Sequence, residues 1–283
     1  MGKGLYQQAL DLMGKGWDKS ALTHTAFKSD MRQITAFLKE RYGLERIEHV
    51  KPHMVTSHIK TWQEAGYSAS HLQGIATAWR PVARSVGKQN IVPRTNAELG
   101  ISRPNADRYK PKEANHDKLA AIRAVLVERG ASSPKDRALL AAHDLRQTFG
   151  LRAKESLMSN RVVDRHGRKY LQIEGAKGGR PRELELRSPE QARAVDRVRE
   201  VARELGNAQG RIIPPQMTLK QFYDYQRNTL RALGASRADG SNAHSQRHGF
   251  AQQRLAETGN RSQVATELGH GRDEVVSHYI LPR

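Results

Sequence analysis

The chain has 283 residues, no cysteine, and 48 lysine and arginine residues against 29 aspartate and glutamate, which gives a formal net charge of +19. The absence of cysteine excludes disulfides, thiolate zinc sites and cysteine nucleophiles. The N-terminal stretch lacks the apolar core of a signal peptide, and no run of about 18 apolar residues occurs, so we expect a cytoplasmic protein without a membrane partner. Basic residues are spread along the whole chain, which predicts a large surface that contacts nucleic acid.

Residues 1–88 are predicted to form a bundle of about four helices. One amphipathic helix of about twenty residues is indicated by apolar side chains at three- to four-residue steps. These side chains are Leu22, Phe27, Met31, Ile34, Phe37 and Leu38. Pro52 suits the first turn of the next helix, which Gly66 ends. Ser68 or Ser70 can cap a further helix that Pro81 is expected to kink.

Residues 89–114 are predicted to be a basic linker between two domains. Pro93, Pro104 and Pro111 punctuate a polar stretch that is rich in lysine and arginine. Such a stretch is typical of an extended segment, and an ordinary exposed loop is the alternative. Its basic side chains favour contacts with phosphates.

Residues 115–283 are predicted to be a larger α+β domain. Helices are expected at 116–129, 134–149, 188–205, 218–233, 243–258, 260–268 and 272–279. Short strands are expected at 161–164, 169–173 and 183–186, with turns at Gly167 and at the glycine-rich segment 175–180. The predicted fold class is therefore mainly α with a small antiparallel β-sheet.

Four separated motifs carry residues suited to phosphoryl-transfer chemistry. They are FGLRAKES at 149–156, GAKGG at 175–179, HSQRH at 244–248 and LGHGRDEVVSHY at 268–279. Two arginine forks can neutralise a phosphodiester and its transition state, so that no metal or other cofactor is needed. A lysine can protonate an alkoxide, histidines can exchange protons, and a tyrosine can act as the nucleophile. The candidate site residues are Arg152, Lys177, His244, Arg247, His270 and Tyr279.

Each of these motifs is weak evidence when taken alone. An Arg–x–x–Glu pair such as Arg152 and Glu155 is more often a surface ion pair. Lys177 has the setting of a solvated turn, and the G-x-x-x-x-G-K-[ST] spacing of a P-loop is missing. His244 and His248 have a spacing that zinc sites use, but no acidic residue lies near them in the sequence. The order and spacing of the four motifs together are specific.

Taken together, the motifs resemble those of the tyrosine recombinase (phage integrase) family. That family carries an arginine in G-L-R-x-x-E, a β-turn lysine, H-x-x-R, L-G-H and a tyrosine near the C-terminus. The resemblance covers residues from about 115 to the end, and it implies that the N-terminal bundle is a SAM-like core-binding domain. One departure is Gln246, since the family commonly has leucine just before the second arginine. A separate arm-site-binding domain is not expected.

The resemblance implies a role for each matched residue. Arg152 and Arg247 would clamp the scissile phosphate, and Tyr279 would attack it to form a 3′-phosphotyrosine. His244 and His270 would support the phosphate and manage protons. Lys177 would be the general acid for the 5′-hydroxyl leaving group, and Glu155 would hold the framework of the site.

The implied function is site-specific recombination or integration of a mobile element. The implied partner is double-stranded DNA at a specific site. The two domains would close around this DNA as a C-shaped clamp, and the protein would be associated with the nucleoid when it is bound to DNA. A homotetramer on DNA and accessory DNA-bending factors are also implied. Two alternatives stay open: relaxation of DNA in the manner of a type IB topoisomerase, and a DNA-binding relative that has no catalytic activity.

Overall fold

The computed structural model describes residues 3–14, 21–102, 113–158, 161–174, 181–207 and 211–279, except for the side chains of residues 21 and 22. It divides into two compact units, Met1–Asp107 and Arg108–Arg283. The described part of the chain has no helix that is both long enough and apolar enough to cross a membrane.

The described residues of the first unit contain four α-helices. They are α1 (Leu5–Met13), α2 (Ala21–Tyr42), α3 (Pro52–Glu64) and α4 (Ala69–Ser85), with a 3₁₀ turn at Ile47–His49. The apolar stripe of α2 faces the core, where Phe27, Met31, Ile34 and Leu38 are buried. Ser68 caps α4 by accepting a hydrogen bond from the backbone N–H of His71 at 3.3 Å.

Pro81 lies inside α4, which remains helical to Ser85. Trp79 is fully buried, and Trp62 packs partly buried against the same core. Both tryptophans therefore serve packing, whereas Trp17 lies outside the described residues.

Residues 89–102, predicted as linker, pack into the first unit. They form 3₁₀ turns at Gln89–Ile91 and Ala97–Leu99. Four apolar side chains of this stretch are buried in the core of the first unit: Ile91, Val92, Leu99 and Ile101. They follow neither a helical nor a strand period, so sequence patterning gives no sign of their burial. Residues 103–112 lie outside the described residues.

The second unit combines helices with a small sheet. Its helices are α5 (His116–Ser132), α6 (Pro134–Phe149), α7 (Glu155–Met158), α8 (Pro189–Glu204), α9 (Leu219–Ala232), α10 (Ala243–Thr258) and α11 (Arg261–Glu267). Its strands are β1 (Arg161–Arg165), β2 (Arg168–Ile173) and β3 (Arg182–Glu185). A last 3₁₀ segment, Asp273–His278, stands where a short helix was predicted for 272–279.

The sheet is antiparallel in the order β1-β2-β3, with Val162 opposite Leu171 and Leu171 opposite Leu184. A tight turn joins β1 to β2, and His166 and Gly167 have φ values of 53° and 78° there, as a type I′ hairpin requires. Leu171 and Leu184 are buried in the same core as helices α6 and α8. The predicted fold class, mainly α with a small antiparallel sheet, is confirmed.

Candidate active site

Helix α10 supplies the centre of the candidate site. Asn242 caps it, since its side-chain oxygen accepts hydrogen bonds from the backbone N–H groups of His244 and Ser245 at 2.9 and 3.0 Å. This cap fixes the first turn of the helix, from which His244 and Arg247 extend three residues apart on one face.

Arg247 is fully buried, and each nitrogen of its guanidinium has a partner. Nη1 donates to the carbonyl of Gly150 at 2.6 Å, and Nη2 donates to the carbonyl of Leu268. Nε donates to the phenol oxygen of Tyr279 at 3.2 Å. Burial lowers the pKa of Arg247, and the positive charge of Arg152 lowers it further. The two carbonyl oxygens offset part of the free-energy cost of burying the charged guanidinium, because they accept hydrogen bonds from it.

Gly150 can approach Arg247 because it has no side chain. It ends α6 with φ 62°, and a Cβ at this position would lie 2.4 Å from the ring of Phe250. Any larger residue would move either the helix end or the carbonyl that Arg247 uses. The glycine of the G-L-R-x-x-E motif thus has a geometric role next to the arginine.

His270 lies beside Arg247, with 3.1 Å between its Nε2 and the arginine Nη2. Arginine only donates, so Nε2 accepts, and the proton of the neutral ring resides on Nδ1. Desolvation lowers the pKa of His270 to about 4, and the charges of Arg247 and Arg152 act in the same direction. His270 is therefore neutral at physiological pH.

Tyr279 is surrounded by histidine rings and is only 6% exposed. Its ring centroid lies 4.9 Å from His248, 5.6 Å from His270 and 5.9 Å from His244. Gln252 donates from its side-chain amide to the backbone carbonyl of Tyr279 at 2.9 Å. The predicted nucleophile is thus placed next to Arg247 and His270 within a single chain.

His244 stands at the open edge of the site, with part of its surface exposed. Desolvation lowers its pKa to about 4, followed by the effects of His248 and Arg247. The rings of His244 and His248 meet edge to face with centroids 5.0 Å apart. Among the described residues, no group of three or more histidine, aspartate or glutamate side chains could hold a metal ion.

Arg152 is held by an ion pair with Glu155, in which its Nη1 lies 2.8 Å from the carboxylate Oε1. Glu155 also accepts from Arg182, at 3.3 Å and 3.1 Å. Burial by itself raises the pKa of Glu155, but the hydrogen bond and charge of Arg182, together with Arg152, lower it to about 2. A buried carboxylate thus holds two arginines in place.

Lys177, the sixth predicted site residue, lies outside the described residues. The other five occupy the second unit: Arg247, His270 and Tyr279 are in direct contact, and His244 packs against the tyrosine ring. Arg152 is near enough for its charge to lower the pKa of His244 and of His270.

Three residues at the site were not among the six candidate site residues predicted from the sequence. His248 and Gln252 follow His244 at four-residue steps, so the helical period carried a usable signal for both. Arg182 has no such signal. Its Nε donates to the carbonyl of Glu267 at 2.7 Å, and its side chain packs against Gly269, beside His270.

Comparison with solved structures defines the fold as that of the tyrosine recombinases. XerH recombinase, in a post-cleavage complex with a palindromic difH substrate, matches with a TM-score of 0.71 at 16% identity, over 97% of this chain and 80% of that one. A lambda integrase dimer bound to a COC′ core site matches with a TM-score of 0.63 at 18% identity, over 96% of this chain and 92% of that one. A lambda integrase tetramer bound to a Holliday junction matches with a TM-score of 0.60 at 16% identity, over 96% of this chain and 75% of that one.

A family model described as Integrase matches residues 109–253, just over half of the 283 residues. The chain therefore belongs to the integrase family. Membership confirms the predicted class, a tyrosine-type site-specific recombinase. Comparison with curated proteins gives no significant match.

Proposed function

We propose that this protein cuts and rejoins double-stranded DNA at a specific site through a covalent 3′-phosphotyrosine at Tyr279. The observation that carries the proposal is the 3.2 Å hydrogen bond from the buried Nε of Arg247 to the phenol oxygen of Tyr279. A guanidinium beside that oxygen can stabilise both the attacking group and the phosphoryl charge that develops next to it.

In the proposed step the Tyr279 oxygen attacks the scissile phosphorus. A bond from phosphorus to the tyrosine oxygen forms as the bond from phosphorus to the 5′-oxygen breaks, and the phenol proton passes to a neutral histidine beside the ring, His244 or His270. Lys177 would give a proton to the departing 5′-oxygen, and Arg152 would bind the non-bridging oxygens with Arg247. A 5′-hydroxyl of another strand would reverse the step and join the new partners.

Neutral histidines suit this chemistry. Since His244 and His270 have pKa values lowered to about 4, both are uncharged in the protein before DNA binds. The positive charge at the site then comes from the arginines, and either histidine can accept a proton or donate a hydrogen bond.

DNA is the proposed partner because the chain carries a net charge of +19. The XerH and lambda integrase structures are complexes with DNA, and lambda integrase forms a dimer and a tetramer in them. By this likeness we propose that four copies of this chain assemble on two DNA sites and that the first unit is a core-binding domain. The six site residues, Lys177 included, are proposed to act together.

The first test is covalent trapping on nicked suicide duplexes made from the DNA that flanks the gene. Wild-type protein in EDTA should give an adduct that survives a denaturing gel, and mass spectrometry should place it on Tyr279. Tyr279→Phe lacks the nucleophilic oxygen and should give no adduct. Tyr223→Phe is the matched control, since Tyr223 is 42% exposed on α9.

An adduct that persists in Tyr279→Phe, or that maps to another residue, would remove the assignment. Tight binding without an adduct on any duplex tested would count against catalysis and favour a role in DNA binding alone.

A further inference from the structure

The backbone of Tyr279 is fixed by helix α10. Tyr279 ends the 3₁₀ segment Asp273–His278, and its backbone N–H donates to the carbonyl of Val276 at 2.9 Å. Its own carbonyl, which a helix end leaves without an internal partner, accepts the side-chain amide of Gln252 at 2.9 Å. The ring of His248 packs against the ring of Tyr279, with centroids 4.9 Å apart.

These contacts hold the tyrosine at both ends. Arg247 binds the phenol oxygen, while Gln252, five residues further along the same helix, binds the backbone carbonyl. A 3₁₀ segment of six residues has little stability of its own. The position of the phenol oxygen therefore depends on tertiary contacts.

We infer that Gln252 is a positioning residue for the nucleophile, holding the backbone of Tyr279 so that its phenol oxygen stays on Arg247 of the same chain. The inference rests on the proposed function and names the side chain that keeps the attacking group in place. A nucleophile misplaced by about 1 Å can lose on the order of a hundredfold in rate, so a backbone anchor has a direct kinetic effect.

Gln252→Met tests the anchor, because methionine keeps the length of the side chain and removes the amide donor. Gln253→Met is the matched control, since Gln253 is exposed and, among the described residues, donates only to Glu257 on its own helix at 2.8 Å. Amide hydrogen exchange of peptides covering residues 273–283 is measured on the full chain without DNA. We expect exchange about fivefold faster in Gln252→Met, as loss of one hydrogen bond implies, and unchanged exchange in Gln253→Met.

The second measurement is the single-turnover rate of adduct formation on a nicked suicide duplex from the DNA flanking the gene. Gln252→Met should form the adduct about tenfold more slowly, with its affinity for the same duplex unchanged. If Gln252 had a purely structural role, the affinity for DNA and the thermal unfolding temperature would fall together with the rate. The Gln253→Met protein gives the reference value for each of these three measurements.

Equal exchange in the two variants would show that Gln252 does not anchor Tyr279 and would overturn the inference. Faster exchange with an unchanged adduct rate would overturn it as well, because the anchor would have no effect on the reaction. Absence of an adduct in the wild type would instead count against the proposed function. The exchange measurement would then still decide whether Gln252 holds the backbone.

Discussion

Arg146 on α6 and Gln246 on the active-site helix α10 form a buried polar pair. Arg146 is fully buried, and its Nε donates to the side-chain oxygen of Gln246 at 2.8 Å. Gln246 in turn donates to the carbonyl of His143 at 3.2 Å. Burial lowers the pKa of Arg146 to about 9, so it is still charged at neutral pH. Gln246, which departs from the leucine common in the family, is therefore matched to an arginine on α6.

Gln246→Leu should destabilise the protein by about 2 kcal/mol, because it leaves the Nε of Arg146 buried without an acceptor. Urea unfolding followed by circular dichroism measures the loss. Gln253→Leu, on the exposed face of α10, should change the unfolding free energy by less than about 0.5 kcal/mol.

Adding Arg146→Met to Gln246→Leu should recover much of the lost stability, since the uncompensated charge is then gone. If the double variant were as unstable as the sum of the two single variants, the pair would not be coupled in the way its geometry indicates.

At the scale of elements, α3 carries a histidine in the core of the first unit. His58 is fully buried, with ring centroids 4.6 Å from both Phe37 and Trp62. Neither of its ring nitrogens has a hydrogen-bond partner among the described residues. Desolvation lowers the pKa of His58 to about 4, so the ring is neutral in the folded helix bundle.

The first unit should therefore lose stability in acid. In the unfolded state His58 takes up a proton near the ordinary histidine pKa of about 6.5, whereas in the folded state it does so only near pH 4. The contribution of His58 to stability is therefore complete above about pH 6.5 and is lost as the pH falls from there towards 4. Between about pH 7 and about pH 5 we expect a loss of about 2 kcal/mol. All three tryptophans precede residue 107, so tryptophan fluorescence during urea unfolding reports this unit alone.

His58→Met should remove most of this pH dependence, whereas His49→Gln, at an exposed position, should keep it. An unchanged pH profile in His58→Met would assign the acid sensitivity to other groups.

A second element-scale feature connects the sheet to the catalytic helices. Arg182 at the start of β3 pairs with Glu155 of α7 and donates to the carbonyl of Glu267 at the end of α11. Glu155 holds Arg152, and His270 follows Glu267 by three residues. The sheet thereby braces two separate parts of the site.

For the whole molecule, the net charge determines how the affinity for DNA is expected to depend on salt. A chain with a charge of +19 that binds phosphates releases counterions, so its affinity should fall steeply with salt. For Tyr279→Phe, which binds without reacting, we expect about a thousandfold weaker binding at about 200 mM than at about 50 mM salt. Fluorescence anisotropy with a random-sequence duplex measures this, and a shallow dependence would contradict an interface dominated by phosphate contacts.

The sequence by itself determined the class of protein and much of the secondary structure. Helical and strand periods are local, so α2, α6, α10 and the β1–β2 hairpin were predictable within a few residues. The candidate residues were predictable because each lies in a short motif whose chemistry can be named, and the motifs follow in a specific order. Net charge, which needs no folding, indicated the kind of partner.

Only the tertiary structure decided how the site is held. Arg247 uses the carbonyls of Gly150 and Leu268, and Tyr279 is anchored by Gln252, 27 residues away in the chain. Such contacts join side chains to backbone groups that every residue possesses, so no residue pattern marks the partner in advance. The burial of Ile91, Val92, Leu99 and Ile101 and of the Arg146–Gln246 pair was hidden for a different reason. It depends on which surfaces meet, and packing is settled by the fold as a whole.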